Sequence, residues 1–427
     1  MTIRFIVNSQ ILNGTCLLDT KWFVTSQIHS NECRKRNVTA MICRVSKCRS
    51  LHDHPENIMR KLLLWACALI IVLQPLSASP AKDKVQIALL LDTSNSMDGL
   101  IDQARTQLWK IVDGLSTATK NGQQATLEIG LYEYGNTMLA ANTGFLRQVC
   151  AFTTDLDLVS ERLFELKTNG GDEYCPTVIV RSVQDLAWST QKTDLRLIVI
   201  AGNEPFAQGK ITPAEACKAA KAKDITITTL YCGSDASGKS EGWQSAAFCA
   251  GGAYFAVNTD KPVHHITTPY DTTLSRLNTE LNNTYVGYGN LGATKKQRQV
   301  AQDANASGKG LAVMAQRAKA KSTQHYKNSD WDIVDLHAES PVAALSVPEQ
   351  ELPSELKSLS VKDREAKIKE LASQRKKLQA QIETLSQQRN AFVAAEERKL
   401  SKDETTTIDK VMMTAIRKFA ADRSFVL

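Results

Sequence analysis

Asp92, Ser94 and Ser96 stand at alternate positions just after an unbroken apolar run, in the stretch IALLLDTSNSMDGLIDQ (87–103). One carboxylate and two hydroxyls converging on a loop are hard oxygen donors, suited to Mg2+, Mn2+ or Ca2+ rather than to zinc. The same residue types also cap helices, because Asp and Ser side chains accept from the backbone N–H groups of a first turn. A third use, Ser94 as an acyl nucleophile, needs a positioned base, and no Gly-x-Ser-x-Gly elbow surrounds it.

A second motif competes. Gly233–Ser240, GSDASGKS, matches the phosphate-binding pattern G-x-x-x-x-G-K-[S/T] and follows a strand-like run. In that reading Lys239 reaches nucleotide phosphates and Ser240 holds Mg2+. Against it, the motif follows about the fifth strand rather than the first, and no later apolar strand ends in a suitable acid. The plain alternative is a polar loop. His264 and His265 are adjacent, His325 and His337 lie further on, and none joins a catalytic constellation. The chain reads as a non-enzyme.

The elements that must position these residues alternate. VQIALLLD is apolar throughout, as in a strand buried on both faces. Leu100, Ala104, Leu108, Ile111, Val112 and Leu115 follow at helical spacing. ATLEIGLYEYG alternates as a strand, and FLRQVCAFT reads as a neighbouring strand paired as a hairpin edge. Helices, strands and loops then recur through AYFAVN near residue 257. Repeated β-α-β units give a mostly parallel sheet with helices on both faces, and ligands of such sheets bind at the carboxyl ends of the strands.

With Asp92-x-Ser94-x-Ser96 at the end of its first strand, the segment from Lys84 to Asp260 resembles a von Willebrand factor A (VWA) domain. That resemblance implies a Rossmann-like α/β fold and a metal-ion-dependent adhesion site (MIDAS), with Asp92, Ser94 and Ser96 as ligands. The family's threonine position falls in TNGGDEYCP, where Asp172 stands, with Thr168 earlier and Glu173 beside it. Its later aspartate falls after LIVIAG, where the chain has Gly202, Asn203 and Glu204. Asp172 and Glu204 are therefore the expected substitutes, and a bound carboxylate at 172 leaves the ion a weaker Lewis acid than a threonine would. The implied cofactor is a divalent cation, Mg2+ first, with Mn2+ or Ca2+ as alternatives. The implied role is protein recognition, a partner's acid completing the metal shell. NGGDEYC, IAGNEPF and NNTYVGYG resemble a group of bacterial exported proteins that carry one such domain.

Location comes from the other end of the chain. The net charge is +7, but residues 1–61 hold 10 Lys/Arg against 4 Asp/Glu and residues 62–81 hold none, leaving +1 for residues 82–427. The body has no basic footprint, which excludes nucleic acid as a partner. MRKLLLWACALIIVLQPLSASPA (59–81) has the order of a signal peptide: a basic start, a short apolar core and a small-residue end near Ala78 or Ala81. Residues 1–58 are then an upstream extension ahead of a start at Met59. Their alternative is a basic cytoplasmic tail with 62–73 as a marginal anchor. Cys43, Cys48, His52 and His54 fit no zinc spacing, and Cys67 follows only a weak lipid-attachment pattern. The expected compartment is periplasmic or secreted, with no membrane span after cleavage.

Five cysteines remain beyond residue 81. Cys175–Cys232 and Cys217–Cys249 are the favoured disulfides, with Cys150 left over, although spacing alone leaves the connectivity open. The expected organisation is a VWA-like domain at 82–262, a mixed extension at 263–348 and a helical region at 349–427. In the last, Ile368, Leu371, Leu378, Ile382, Leu385 and Phe392 follow coiled-coil-like spacing, interrupted by Arg375 and Arg389. The seam suits packing on the chain's own domain, with a homo-oligomer through these helices as the alternative. Besides the metal-bound module, two readings remain: a metal-free assembly scaffold with a degenerate site, and a nucleotide-binding protein through residues 233–240.

Overall fold

The computed structural model of the chain describes residues 7–12, 15–20, 82–115, 117–257, 265–399 and 408–427. The signal segment at 59–81, the upstream Cys/His set, Cys67 and His264 lie outside them. Strands β1 (Val7–Leu12) and β2 (Thr15–Thr20) form an antiparallel hairpin in a first compact unit, Met1–Ser77. The second compact unit is Ala78–Leu427.

Its core is a six-stranded sheet: β3 (Lys84–Asp92), β4 (Thr126–Tyr134), β5 (Leu146–Thr153), β6 (Leu195–Gly202), β7 (Thr226–Cys232) and β8 (Tyr254–Val257). The order across it is β8-β7-β6-β3-β4-β5. All neighbours are parallel except the β4–β5 pair, so the edge hairpin expected from FLRQVCAFT is present. The sequence explains the layering. Val85, Ile87, Leu89 and Leu91 enter one apolar cluster, whereas Ala88 and Leu90 enter another, as the two-residue period of a strand requires. The first face is covered by α1 (Asp98–Leu115) and α2 (Leu156–Glu165). The second is covered by α3 (Cys175–Asp185), α4 (Pro213–Ala222) and α6 (Trp243–Cys249).

The segment 233–240 is not an open phosphate loop. Asp235–Ser240 is a short helix, α5, capped by Ser234, whose hydroxyl accepts from Ser237 N–H. Lys239 pairs with Asp235 at 2.6 Å and the Ser240 hydroxyl donates to Ser237 O, so both residues of the nucleotide reading are used within the helix. A side chain on Gly238 would strike the Tyr231 side chain and the Tyr254 hydroxyl, which makes this glycine a packing residue.

Beyond the sheet come α7 (Asp271–Asn282), α8 (Gly289–Gly308), α9 (Leu311–Ser322), α10 (Ile333–Glu339), α11 (Val361–Lys399) and α12 (Ile408–Ala421). These do not stand apart. Ile408, Val411, Met412 and Ile416 of α12 share the apolar cluster of α1, and Lys110 pairs with Asp409 at 2.6 Å. Arg317 of α9 is fully buried. It bonds Asp157 (2.7 Å), Asp303 and Gln299 O, and lies 4.5 Å from the Trp109 ring. Asp157 is thus the buried acid that ties α2 to the extension, while Asp155 caps the helix.

The long helix α11 is buried along its seam against its own unit. Ile368 and Leu371 join one cluster, Leu378 and Ile382 another. The two arginines that interrupt the pattern are anchors. Arg375 bonds Asp332, Asp335 and Thr284 and stacks 3.8 Å from the Tyr285 ring, and Arg389 bonds Asp271 at 2.7 Å.

Of the two expected disulfides, Cys217–Cys249 is formed, joining α4 to α6 with Cα atoms 6.0 Å apart. Cys175–Cys232 is not, for a geometric reason: Cys175 packs into the cluster on one face of the sheet and Cys232 into the cluster on the other. Cys175 instead places its thiol 3.5 Å from the Tyr134 hydroxyl.

Candidate metal centre

The strands β3, β4 and β6 end together. Asp92 pairs with Tyr134 and Leu91 with Ala201 in the ladder, so the loops after these three strands meet at one crevice. β3 is followed by α1 on one face of the sheet and its neighbour β6 by α4 on the other, which is where ligands of open parallel sheets bind.

Asp92, the last residue of β3, is fully buried. Its Oδ1 accepts from Ser94 N–H at 2.7 Å, which turns the chain out of the strand. Its Oδ2 makes no hydrogen bond. A buried carboxylate oxygen without a partner is expensive, by roughly 1–3 kcal/mol or more when charged. Burial first, then the Glu173 carboxylate, push the Asp92 carboxyl up to about 8. The Ser94 and Ser96 hydroxyls stand 3.4 Å apart beside it.

A second loop, 167–174, brings the next carboxylate. Asn169 N–H donates to Thr93 O at 2.9 Å, Thr137 N–H to Gly170 O at 2.7 Å, and the Asn136 amide to Lys167 O at 2.9 Å. Gly171 lets this loop lie against Gly135, whose carbonyl oxygen would be 2.7 Å from a Cβ there. The residue delivered is Glu173, not Asp172. Glu173 is buried, and burial followed by the charges of Glu204 and Asp172 push it up to about 7, while the Ser94 and Gln208 side chains hold it down. Asp172 is exposed and accepts from the Tyr174 hydroxyl at 3.0 Å. Thr168 is taken by Asp98, to which its hydroxyl donates at 2.6 Å.

The third loop follows β6. Gly202 leaves the space that a side chain would fill: a Cβ there would lie 3.0 Å from Asp92 Oδ2 and 2.5 Å from the Tyr134 hydroxyl. Asn203 donates from Nδ2 to Ser96 Oγ at 3.0 Å, and its Oδ1 is buried without a hydrogen bond. Glu204 is exposed at the rim. Its charge adds to the upward push on both buried acids, and its carbonyl accepts from the Trp243 indole at 2.8 Å.

The structure therefore brings Asp92, Ser94 and Ser96 together and adds Glu173 and Asn203, with Glu204 at the edge and Asp172 outside. TNGGDEYCP offered two adjacent acids, and sequence spacing could not say which faces inward; Asn203 had no signal beyond its place after a strand. Among the described residues no group of three or more His, Cys, Asp or Glu side chains is arranged to hold a metal. The donors here are instead mixed, two carboxylates with hydroxyls and an amide oxygen, which is hard-cation chemistry. Two of them, Asp92 Oδ2 and Asn203 Oδ1, are buried oxygens lacking any donor, and that fits a cation.

No protein-family model and no curated protein matches the chain. Solved structures do resemble it. An aerotolerance-related membrane protein from Bacteroides fragilis is 16% identical over 41% of this chain and 93% of its own, with a TM-score of 0.29. The SpRpn10 VWA domain is 14% identical over 41% of this chain and 88% of its own, TM-score 0.30. Proximal thread matrix protein 1 from the mussel byssus, with a zinc-occupied MIDAS motif, is 11% identical over 42% of this chain and 43% of its own, TM-score 0.32. Taken on its own strand order, with one antiparallel edge and Asp92, Ser94 and Ser96 at the carboxyl end of the central strand, the segment 84–257 has the fold of a von Willebrand factor A domain.

Proposed function

We propose that this chain is an exported, non-enzymatic recognition module that binds a divalent cation through Asp92, Ser94 and Ser96 and presents it to a protein partner. The observation that supports it is the Asp92 Oδ2 atom, buried and without a hydrogen-bond donor beside two serine hydroxyls. Glu173 takes the place assigned to Asp172 as the second carboxylate, and Glu204 lies near enough to act through its charge. A cation held by these residues would supply Lewis acidity toward a partner's oxygen. The chain's own residues orient it: Ser94 N–H fixes one Asp92 oxygen, and Asn203 fixes the Ser96 hydroxyl. Among the described residues no helix is long and apolar enough to cross a membrane. Export to the periplasm or beyond rests on the signal-like segment at 59–81.

The second reading, a metal-free scaffold, draws on the absence of a carboxylate-rich cage among the described residues. Calorimetric titration with Mg2+, Mn2+ and Ca2+ decides between the two. Saturable heat that disappears in Asp92→Ala supports the metal module. Folded, metal-stripped protein that takes up none of the three ions leaves the scaffold.

A further inference from the structure

A cavity of about 550 Å3 lies between α4 and α6, away from the acidic crevice but sharing its loop. Phe206, three residues after Asn203, forms one wall; Pro213, Ala214 and Ala246 form others, and the Cys217–Cys249 disulfide is part of the lining. That volume is in the range of small-molecule sites, about 300–1,000 Å3, and an apolar lining with few polar groups is their usual character. The disulfide fixes the spacing of the two helices, so the cavity is held open rather than left to close by helix packing.

Its charges are asymmetric. Lys218 and Lys221 lie one turn apart on α4, both line the cavity, both are exposed, and neither forms an ion pair among the described residues. One acid, Glu241, lies on the opposite wall, half-buried and with its Oε2 free of hydrogen bonds, so the two lysines outnumber the acid in the lining. Two unpaired ammonium groups beside an apolar cleft match a ligand with an apolar body and one anionic head.

We infer that this cavity binds a small amphipathic anion, such as a medium-chain carboxylate, its chain against Phe206, Ala214 and the disulfide and its acid group on Lys218 and Lys221. The site is independent of the cation reading.

Calorimetry on the full chain tests it with decanoate and decanol as probes. Decanoate binds at one site. Ala214→Trp and Ser245→Trp fill the cleft from opposite helices at exposed positions and each weakens decanoate by about tenfold or more. The double reversal Lys218→Glu/Lys221→Glu weakens decanoate by about fivefold or more and leaves decanol unchanged. Circular dichroism confirms that each variant is folded, and the two tryptophan variants stand in for one another if either is not. No decanoate uptake by the parent chain, or equal uptake by a folded, filled variant, overturns the site. Decanoate and decanol responding alike to the charge reversal overturns the anionic head.

Discussion

Asp92 and Glu173 approach each other across a missing side chain. Gly135, at φ +75°, lies between them, and a Cβ there would come within 2.7 Å of Asp92 Oδ1 and 2.7 Å of Glu173 Cγ. The two buried acids share one crevice because the residue that follows β4, Gly135, has no side chain.

Gly135→Ala separates space from backbone conformation. Gly251 has nearly the same φ, +71°, but nothing within 4 Å of its Cβ position. Gly251→Ala meets only the left-handed backbone penalty, about 1 kcal/mol. Gly135→Ala adds the collision with two carboxyl groups and should lose roughly 2–4 kcal/mol in total. Urea unfolding of both variants measures the difference. Equal losses would mean that the acids are not held together as described.

The pH dependence of the metal-free protein follows from the two raised acids. An unfolded Asp gives up its proton near 3.9, whereas Asp92 in the folded chain holds it to about 8. Between these values the native state binds more protons than the unfolded state, so stability falls as pH rises. Glu173, raised to about 7, adds to the fall over the lower part of the window. Asp92→Asn should therefore stabilise the metal-free protein more at pH 8 than at pH 5, by a difference of more than about 1 kcal/mol. Saturating Mg2+ should reverse the trend for the parent chain, because a cation binds the deprotonated site. A flat pH profile in the parent chain speaks against both shifts.

Much of this was legible in the sequence. The two-faced apolar run of β3 and the alternation of β4 dictate a strand buried in a sheet, and Asp92, Ser94 and Ser96 mark its end. What was not legible depends on distance across the fold. Asp172 and Glu173 are adjacent, and only the docking of Gly171 on Gly135 decides which enters. Cys232 ends β7 and Cys175 opens α3, yet the sheet separates them. GSDASGKS satisfies a phosphate-loop pattern while its own Ser234 caps it into a helix. Arg375 and Arg389 interrupt a hydrophobic seam because they reach acids near α10 and on α7, contacts 43 and 118 residues away in the chain.

Arg375 gives a stability prediction of its own. Its guanidinium lies on the Tyr285 ring and bonds Asp332, Asp335 and Thr284, all from outside α11. Arg375→Ala leaves Asp332 buried without its cation and should lose roughly 3–5 kcal/mol. Replacing Arg375 and Asp332 together, as Met and Asn, should recover a large part of that loss. Hydrogen exchange in α11 reports the loosening directly, and a single variant that unfolds no earlier than the parent would show that the seam hydrophobes suffice.

The Cys217–Cys249 bridge closes a loop of 32 residues between α4 and α6. Constraining a loop of that length in the unfolded chain stabilises by about 3–4 kcal/mol. Cys217→Ser/Cys249→Ser should lose most of this in denaturant unfolding without reducing agent, and the parent should lose a similar amount when reductant is added. Cys175 provides the internal control. It is buried beside the Tyr134 hydroxyl, and burial pushes its thiol far above the ordinary value, so it should resist alkylation until the protein unfolds. Peptide mapping after alkylation in denaturant should find Cys217 linked to Cys249 and Cys175 carrying the label. Recovery of a Cys175–Cys232 peptide instead would contradict the placement of these two residues in apolar clusters on opposite faces of the sheet.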